Sequence, residues 1–87
     1  MSQDRLLLAF LRYVTVERGL SANTQAAYGQ DLKRFHAFLK TSRVSMDRAR
    51  RQDLHSHVRT LRQAGLSPKT VARAINTLPM FYRILAA

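Results

Sequence analysis

The chain has 87 residues, 46% of them hydrophobic, and a formal net charge of +10 from fifteen Lys and Arg against five Asp and Glu. This length predicts one domain over residues 1–87, and the lack of Cys excludes disulfides and thiolate metal sites. No apolar run approaches the ~20 residues of a membrane span, so we expect a soluble, cytoplasmic protein. Its excess of positive charge favours a polyanion as the binding partner.

The first predicted helix runs from about Gln3 to Arg18. Its apolar residues recur at the spacing that places them on one side of a helix. They are Leu7, Phe10, Leu11 and Val14.

The phrase Gly-Leu-Ser-x-x-Thr occurs twice, at residues 19–24 and 65–70. In each copy the Gly can adopt the left-handed conformation that closes a helix, and the Ser can accept a hydrogen bond from a free amide of the next helix. In the second copy Pro68 suits the first helical position, and Leu66 and Val71 have the spacing of a hydrophobic staple. The repeat therefore predicts two helix ends and two helix starts.

The second predicted helix runs from Ala22 to about Lys40, and a polar, Arg-rich connection follows over residues 41–50. Val44 and Met46 are the apolar residues of that connection, and we expect both to point inward. The predicted core stripe of the helix has spacings of 4, 3 and 4 residues. It consists of Tyr28, Leu32, Phe35 and Leu39.

The third predicted helix runs from about Arg51 to Ala64, with a core stripe of Leu54, Val58 and Leu61. Its N-cap is poor, because an Arg side chain at position 50 cannot accept hydrogen bonds from backbone amides. Asp53 in the first turn compensates in part through the helix dipole.

The fourth predicted helix runs from Pro68 to about Leu85. Pro79 removes a hydrogen bond to the carbonyl of Ile75, so we expect a kink near residues 75–78 or a helix that restarts. Together with the short connections, the four helices predict an all-α bundle. The predicted core stripe of the fourth helix is Val71, Ile75, Leu78, Tyr82 and Leu85.

Two polar helix faces lie opposite the predicted core stripes. Both combine Arg or Lys with Asn or Gln and small residues, a mixture that suits the major groove of DNA. The capped helix starts can add backbone amides to phosphates. An ordinary solvent-facing surface is the alternative for either face alone. The faces are Asn23, Ala27, Gln30 and Arg34 on the second helix and Lys69, Arg73, Asn76, Met80 and Arg83 on the fourth.

No residue pattern predicts catalysis, a cofactor or a metal site. His55 and His57 are two positions apart and point in different directions on a helix, and we expect His57 to be a surface group near phosphates. Tyr13, Tyr28 and Tyr82 lie on or near apolar stripes, where core packing is the expected role.

The order and spacing of these residues resemble the N-terminal core-binding domain of tyrosine recombinases, above all the Xer type and related phage integrases. The resemblance covers about residues 6–85. In the first half it is carried by residues 17–24 with Tyr28, Asp31, Leu32 and Phe35. In the second half it is carried by Asp53, Leu54, residues 65–70, Ile75, Asn76, Leu78, Phe81, Tyr82, Arg83 and Leu85.

This resemblance implies a SAM-like bundle of four helices in two crossed antiparallel pairs. It also implies that the second and fourth helices face double-stranded DNA, on one side of a recombination site. The partners that it implies are a C-terminal catalytic domain and other recombinase protomers, in a prokaryotic cytoplasm close to the nucleoid. The DNA-binding residues carried over are Asn23, Thr24, Ala27, Gln30, Arg34, Lys69, Thr70, Arg73, Asn76 and Arg83.

The chain departs from the family pattern in two places. Pro79 stands where relatives commonly have a basic residue, and Arg50 replaces a hydroxyl residue that often caps the third helix. No His-x-x-Arg motif occurs, so we expect a non-catalytic fragment of a recombinase. The alternatives are a helical protein-interaction module and a standalone DNA-binding regulator. The long 41–50 connection argues against the second, which needs a short turn before its recognition helix.

Overall fold

The computed structural model describes residues 3–86, and it confirms an all-α fold. No β-strand occurs in that range, and the helix ends lie within one residue of the predicted ones. The predicted domain also includes residues 1, 2 and 87, which lie outside the described residues. The helices are α1 (Gln3–Arg18), α2 (Ala22–Thr41), α3 (Arg51–Gln63) and α4 (Pro68–Ala86), with a short 3₁₀ turn at Met46–Arg48.

The helices pack in two consecutive pairs around one core. α1 packs on α2, α3 packs on α4, and the pairs meet mainly where α2 contacts α4. Met46 is fully buried and Val44 packs against the core, which confirms that the connection points these two residues inward. The best-buried apolar side chains of the helices are Val14, Leu32, Phe35, Leu39, Ala74, Leu78 and Phe81.

Both Gly residues of the repeated phrase close a helix in the left-handed conformation, as predicted. Gly19 has a φ of 59° and Gly65 a φ of 81°. The Gly19 amide donates to the carbonyl of Thr15 at 3.0 Å. At the end of α3, the amides of Gly65 and Leu66 donate to two consecutive carbonyls, which makes a Schellman motif.

Both Ser residues of the phrase cap the next helix with the same geometry. The Ser21 hydroxyl accepts a hydrogen bond from the Thr24 amide at 3.2 Å, and the Ser67 hydroxyl accepts one from the Thr70 amide at 3.2 Å. Each Ser hydroxyl also bonds the hydroxyl of that Thr at 3.0 Å. The two predicted helix starts are therefore confirmed and are nearly identical.

A second Schellman motif closes α2, and its left-handed residue is Arg43. This residue has a φ of 57°. Its amide donates to the carbonyl of Lys40 at 3.2 Å, and the Val44 amide donates to the carbonyl of Leu39 at 3.0 Å. The motif turns Val44 toward the core and keeps Arg43 in a conformation that costs an L-residue about 1–2 kcal/mol.

The core face of α4 is rotated from the predicted stripe. Ile75 and Leu85, which were predicted to be buried, are 43% and 40% exposed, whereas Met80, which was placed on the polar face, is only 7% exposed. The reason is that α4 contacts all three other helices, so it buries a broad arc rather than a narrow stripe. The arc consists of Val71, Ala74, Thr77, Leu78, Met80 and Phe81.

Pro79 does not divide the fourth helix. α4 continues through it from Pro68 to Ala86, so the predicted restart is wrong, and the alternative of a kink stays a prediction. Packing beyond the Pro explains how the helix continues. Phe81 is buried, and the Tyr82 hydroxyl donates a hydrogen bond of 2.6 Å to the carbonyl of Met46.

Asp53 stabilises the start of α3 by a direct contact as well as by its charge. Its carboxylate accepts a hydrogen bond of 2.8 Å from the backbone amide of Arg50, one position before the helix. This is the N3 half of a capping box. Asp53 therefore compensates for the missing hydroxyl at position 50.

His57 is buried, so its predicted place near phosphates is wrong. It is 2% exposed, and neither ring nitrogen has a hydrogen-bond partner among the described residues. Its ring lies against Phe35 and Phe38, with centroids 5.0 and 5.1 Å apart. Burial lowers the pKa of His57 below its usual 6.5, and Arg34 lowers it further, while Asp31 acts in the opposite direction.

We predict that Arg43→Gly stabilises the domain, because Gly adopts a positive φ without steric cost. Part of the gain is offset by the entropy of Gly in the unfolded chain, so we expect about 0.5–1 kcal/mol in the free energy of unfolding, or roughly 3–6 °C in Tm. Thermal melts followed by circular dichroism measure this. Ser42→Gly is the matched control, since Ser42 has a φ of −100°. An unchanged or lower Tm for Arg43→Gly contradicts the prediction.

We also predict that His57 makes the domain less stable in mild acid. Since its folded pKa is lowered, the unfolded state binds the proton more readily. The stabilisation is therefore complete above about pH 6.5 and is lost as the pH falls through the folded pKa. Urea unfolding between pH 7.5 and 5.5 should show this loss in the parent and in exposed-site control His55→Leu, but not in His57→Leu. An equal loss in His57→Leu contradicts the assignment.

Candidate nucleic-acid interface

The predicted face of α2 lies at the protein surface. Asn23 and Gln30 are exposed, and Ala27 and Arg34 are partly buried. Thr24, at the edge of this face, is partly buried and uses its amide and hydroxyl in the cap of α2. The face thus presents amide side chains and one cation around a small residue.

The predicted face of α4 also lies at the surface, with one exception. Lys69, Asn76 and Arg83 are exposed, and the Asn76 side chain donates a hydrogen bond of 3.1 Å to the carbonyl of Ala72. Thr70 is partly buried in the cap of α4. The exception is Met80, whose burial removes the only large apolar side chain from the face.

Arg73 makes a bidentate ion pair with Asp31 where α2 and α4 meet. The guanidinium uses Nε and Nη2 to donate one hydrogen bond of 2.8 Å to each oxygen of the carboxylate. The Asp31 side chain is 1% exposed and the Arg73 side chain 31%. The hydrogen bonds to Asp31 raise the pKa of Arg73, although burial opposes this. The sequence analysis predicted Arg73 as a DNA contact and assigned no partner to it.

The ion pair shows how the two faces are arranged. On α2, Asp31 is flanked by Ala27 and Arg34, and on α4, Arg73 is flanked by Lys69 and Asn76, in both cases at positions i−4 and i+3. Side chains at these spacings are neighbours on a helix surface. The ion pair joins α2 and α4 at a point that lies between the flanking residues of both faces. The two faces therefore adjoin each other at the surface.

Asp31 is the only acidic residue in either helix, and its charge is compensated by Arg73. Of the other acids, Asp4 and Glu17 lie in α1, Asp47 in the 3₁₀ turn and Asp53 in α3. The joint surface of α2 and α4 therefore offers cations and neutral hydrogen-bonding groups with no free carboxylate. Such a surface attracts a polyanion without local repulsion.

The described residues form no other candidate centre. They contain no group of three or more His, Cys, Asp or Glu side chains that could hold a metal ion.

Burial raises the pKa of the Tyr82 phenol, which already donates a hydrogen bond to the carbonyl of Met46. The predicted role in core packing is confirmed for Tyr28 and Tyr82, whereas the same prediction for Tyr13 is wrong, because that residue is 47% exposed. No described helix combines the length and the apolar character that a membrane crossing requires.

Comparison with known proteins identifies the family. The family model of the phage integrase N-terminal SAM-like domain matches residues 7–87. The tyrosine recombinase XerD of Listeria innocua is 41% identical over 78 residues, which are 87% of this chain and 26% of that protein. XerD of Chlorobaculum tepidum is 35% identical over 81 residues, which are 93% of this chain and 27% of that protein.

A third tyrosine recombinase XerD, from Caulobacter vibrioides, is 36% identical over 77 residues, or 88% of this chain and 25% of that protein. The chain thus spans about a quarter of the length of these curated relatives. No solved structure matches. The match over residues 7–87, together with the four-helix bundle described above, confirms the predicted SAM-like fold. The chain belongs to the family of phage integrase N-terminal SAM-like domains.

Proposed function

We propose that this domain binds double-stranded DNA and clamps one side of the recombination site of a tyrosine recombinase. Its family membership and its relatives named tyrosine recombinase XerD support this. The observation that carries the proposal is the joint surface of α2 and α4, where two faces of cationic and amide side chains adjoin without a free carboxylate.

In the proposed interface, each class of residue has a separate role. Arg34, Lys69 and Arg83 bind phosphates and supply most of the affinity. Gln30 and Asn76 have side chains that can read base edges, and Ala27 permits close approach of α2 to the groove. Asn23, Thr24 and Thr70 lie in the first turns of their helices, where the helix dipole and the amides that the Ser caps do not use favour a phosphate.

The cutting and rejoining of DNA belongs, in this proposal, to a catalytic domain elsewhere in the parent recombinase. None of the residues named here is given a nucleophilic role, and the Tyr82 phenol donates its hydrogen bond to the carbonyl of Met46. The domain would work with that catalytic domain and with other recombinase protomers on DNA in a prokaryotic cytoplasm, close to the nucleoid. Its own contribution is to hold the duplex.

A DNA titration at several salt concentrations tests the proposal. Displacement of counterions by cationic side chains should make log Kd rise linearly with log salt concentration, with a slope of about 0.9 for each phosphate contact. Duplex DNA of mixed sequence with a fluorescent label is a suitable probe. Absent or salt-independent binding would overturn the proposal. It would favour a protein-interaction module instead, whose surface would be the groove of about 570 Å³ beside Leu54, Val58 and Ile75.

We predict that Arg34→Ala and Lys69→Ala each weaken DNA binding by roughly three- to tenfold and each lower the salt slope by about 1. Arg59→Ala is the matched control, because it removes one exposed cation from α3, outside both faces. It should change the affinity much less. Thermal melts verify that all three variants fold. If Arg59→Ala weakens binding as much as the other two, the assignment of the faces is wrong.

A further inference from the structure

We propose that Arg73 is a positioning residue whose ion pair with Asp31 sets the spacing of α2 and α4, and with it the spacing of the two DNA-binding faces. This inference rests on the proposed DNA-binding function. It gives Arg73 a different role from the direct DNA contact that the family resemblance implies. It also makes Asp31, a residue that DNA cannot reach, necessary for full affinity.

The geometry of the pair is suited to positioning. Both oxygens of Asp31 accept hydrogen bonds of 2.8 Å from a planar guanidinium, so the contact fixes orientation as well as distance. The two residues are 42 positions apart in the chain, on helices whose ends are held by separate turns. Asp31 is 1% exposed, so water cannot easily replace Arg73 as its partner.

Stability alone does not explain the pair. α2 and α4 contact each other, and both already contribute fully or nearly fully buried apolar side chains to the core, such as Leu32 and Leu78. Apolar side chains of similar volume often stabilise a buried site as well as an ion pair does, or better. Apolar packing is poor at fixing one position of α2 relative to α4, and the bidentate pair adds this.

A role of Arg73 as a direct contact to a DNA phosphate explains the geometry of the ion pair less well. The carboxylate compensates the charge of Arg73, and two of the three guanidinium nitrogens already donate to it. The flanking Lys69 is exposed by comparison and offers an uncompensated charge to a phosphate. Moreover, Arg73→Ala would leave a buried carboxylate without its partner, so lower affinity in that variant would not separate DNA contact from loss of structure.

Asp31→Asn separates the two roles of Arg73, because each role predicts a different direction of change in DNA affinity. The variant removes a negative charge beneath the interface, keeps the side-chain shape and leaves Arg73 free. If Arg73 acts as a phosphate contact, DNA binding should become tighter or stay the same. If the pair sets the helix spacing, binding should become weaker by roughly five- to tenfold although the net charge has risen.

Asp47→Asn is the matched control, because it removes one negative charge at an exposed site in the 3₁₀ turn. It should leave the affinity unchanged or raise it slightly. Both variants are compared with the parent in DNA titrations at a temperature where circular dichroism shows that all three are folded. Equal or tighter DNA binding by Asp31→Asn overturns the inference.

Arg73→Lys is a second variant, which keeps a positive charge next to the buried carboxylate. An ammonium serves a phosphate as a point charge but cannot form the bidentate contact. Positioning therefore predicts a loss of affinity of at least about threefold at an unchanged salt slope. Affinity equal to that of the parent shows that charge alone suffices, and overturns the inference.

The helix spacing can be measured without DNA. Because the chain has no Cys, nitroxide labels can be placed at Ala26→Cys in α2 and Ala72→Cys in α4, both exposed positions. Electron–electron double resonance should give one narrow distance distribution in the parent and in Asp47→Asn, and a broader or shifted one in Asp31→Asn. An unchanged distribution in Asp31→Asn overturns the inference. A parent that shows the narrow distribution but does not bind DNA refutes the proposed function instead.

Discussion

The position of α4 in the bundle is the constraint on which the remaining structure depends. This helix contacts all three others, and its buried arc from Val71 to Phe81 leaves only a strip of its surface free. That strip carries the exposed charged and amide residues of α4, which are Lys69, Asn76 and Arg83. Since α2 packs along one border of the same strip, its own polar residues Gln30 and Arg34 extend the surface. These polar residues thus share one side of the domain, because α4 packs against the other helices on its remaining sides.

Local turns and one long-range contact define this arrangement at different levels. The Gly residues at 19 and 65 and the Ser residues at 21 and 67 determine where helices end and begin. Such turns fix direction, but they do not determine how far apart the middles of two helices lie. Apolar packing brings the helices together, and the ion pair at Asp31 adds an orientation between them. The surface proposed to bind DNA needs the turns, the apolar packing and the ion pair together.

Local chemistry made much of this fold predictable from the sequence. The repeated phrase gave both caps, and the spacing of Leu32, Phe35 and Leu39 gave the core face of α2, because each signal lies within a few residues. It was harder to predict which side of α4 faces the core. Apolar residues such as Ile75 and Met80 surround most of that helix, so no single stripe stands out. The left-handed Arg43 was missed because nothing in the local sequence marks it as a substitute for Gly.

The ion pair of Asp31 and Arg73 shows why a site is harder to predict than a fold. Charged residues are normally placed at the surface, and no local pattern relates two positions that are 42 residues apart. Once the pair is known, the charges of the proposed interface divide into two groups. Arg34, Lys69 and Arg83 keep uncompensated charges around a centre that is electrically neutral and geometrically fixed. In the proposed interface the periphery would supply the affinity for phosphates, and the centre would determine whether both helices can reach the same duplex.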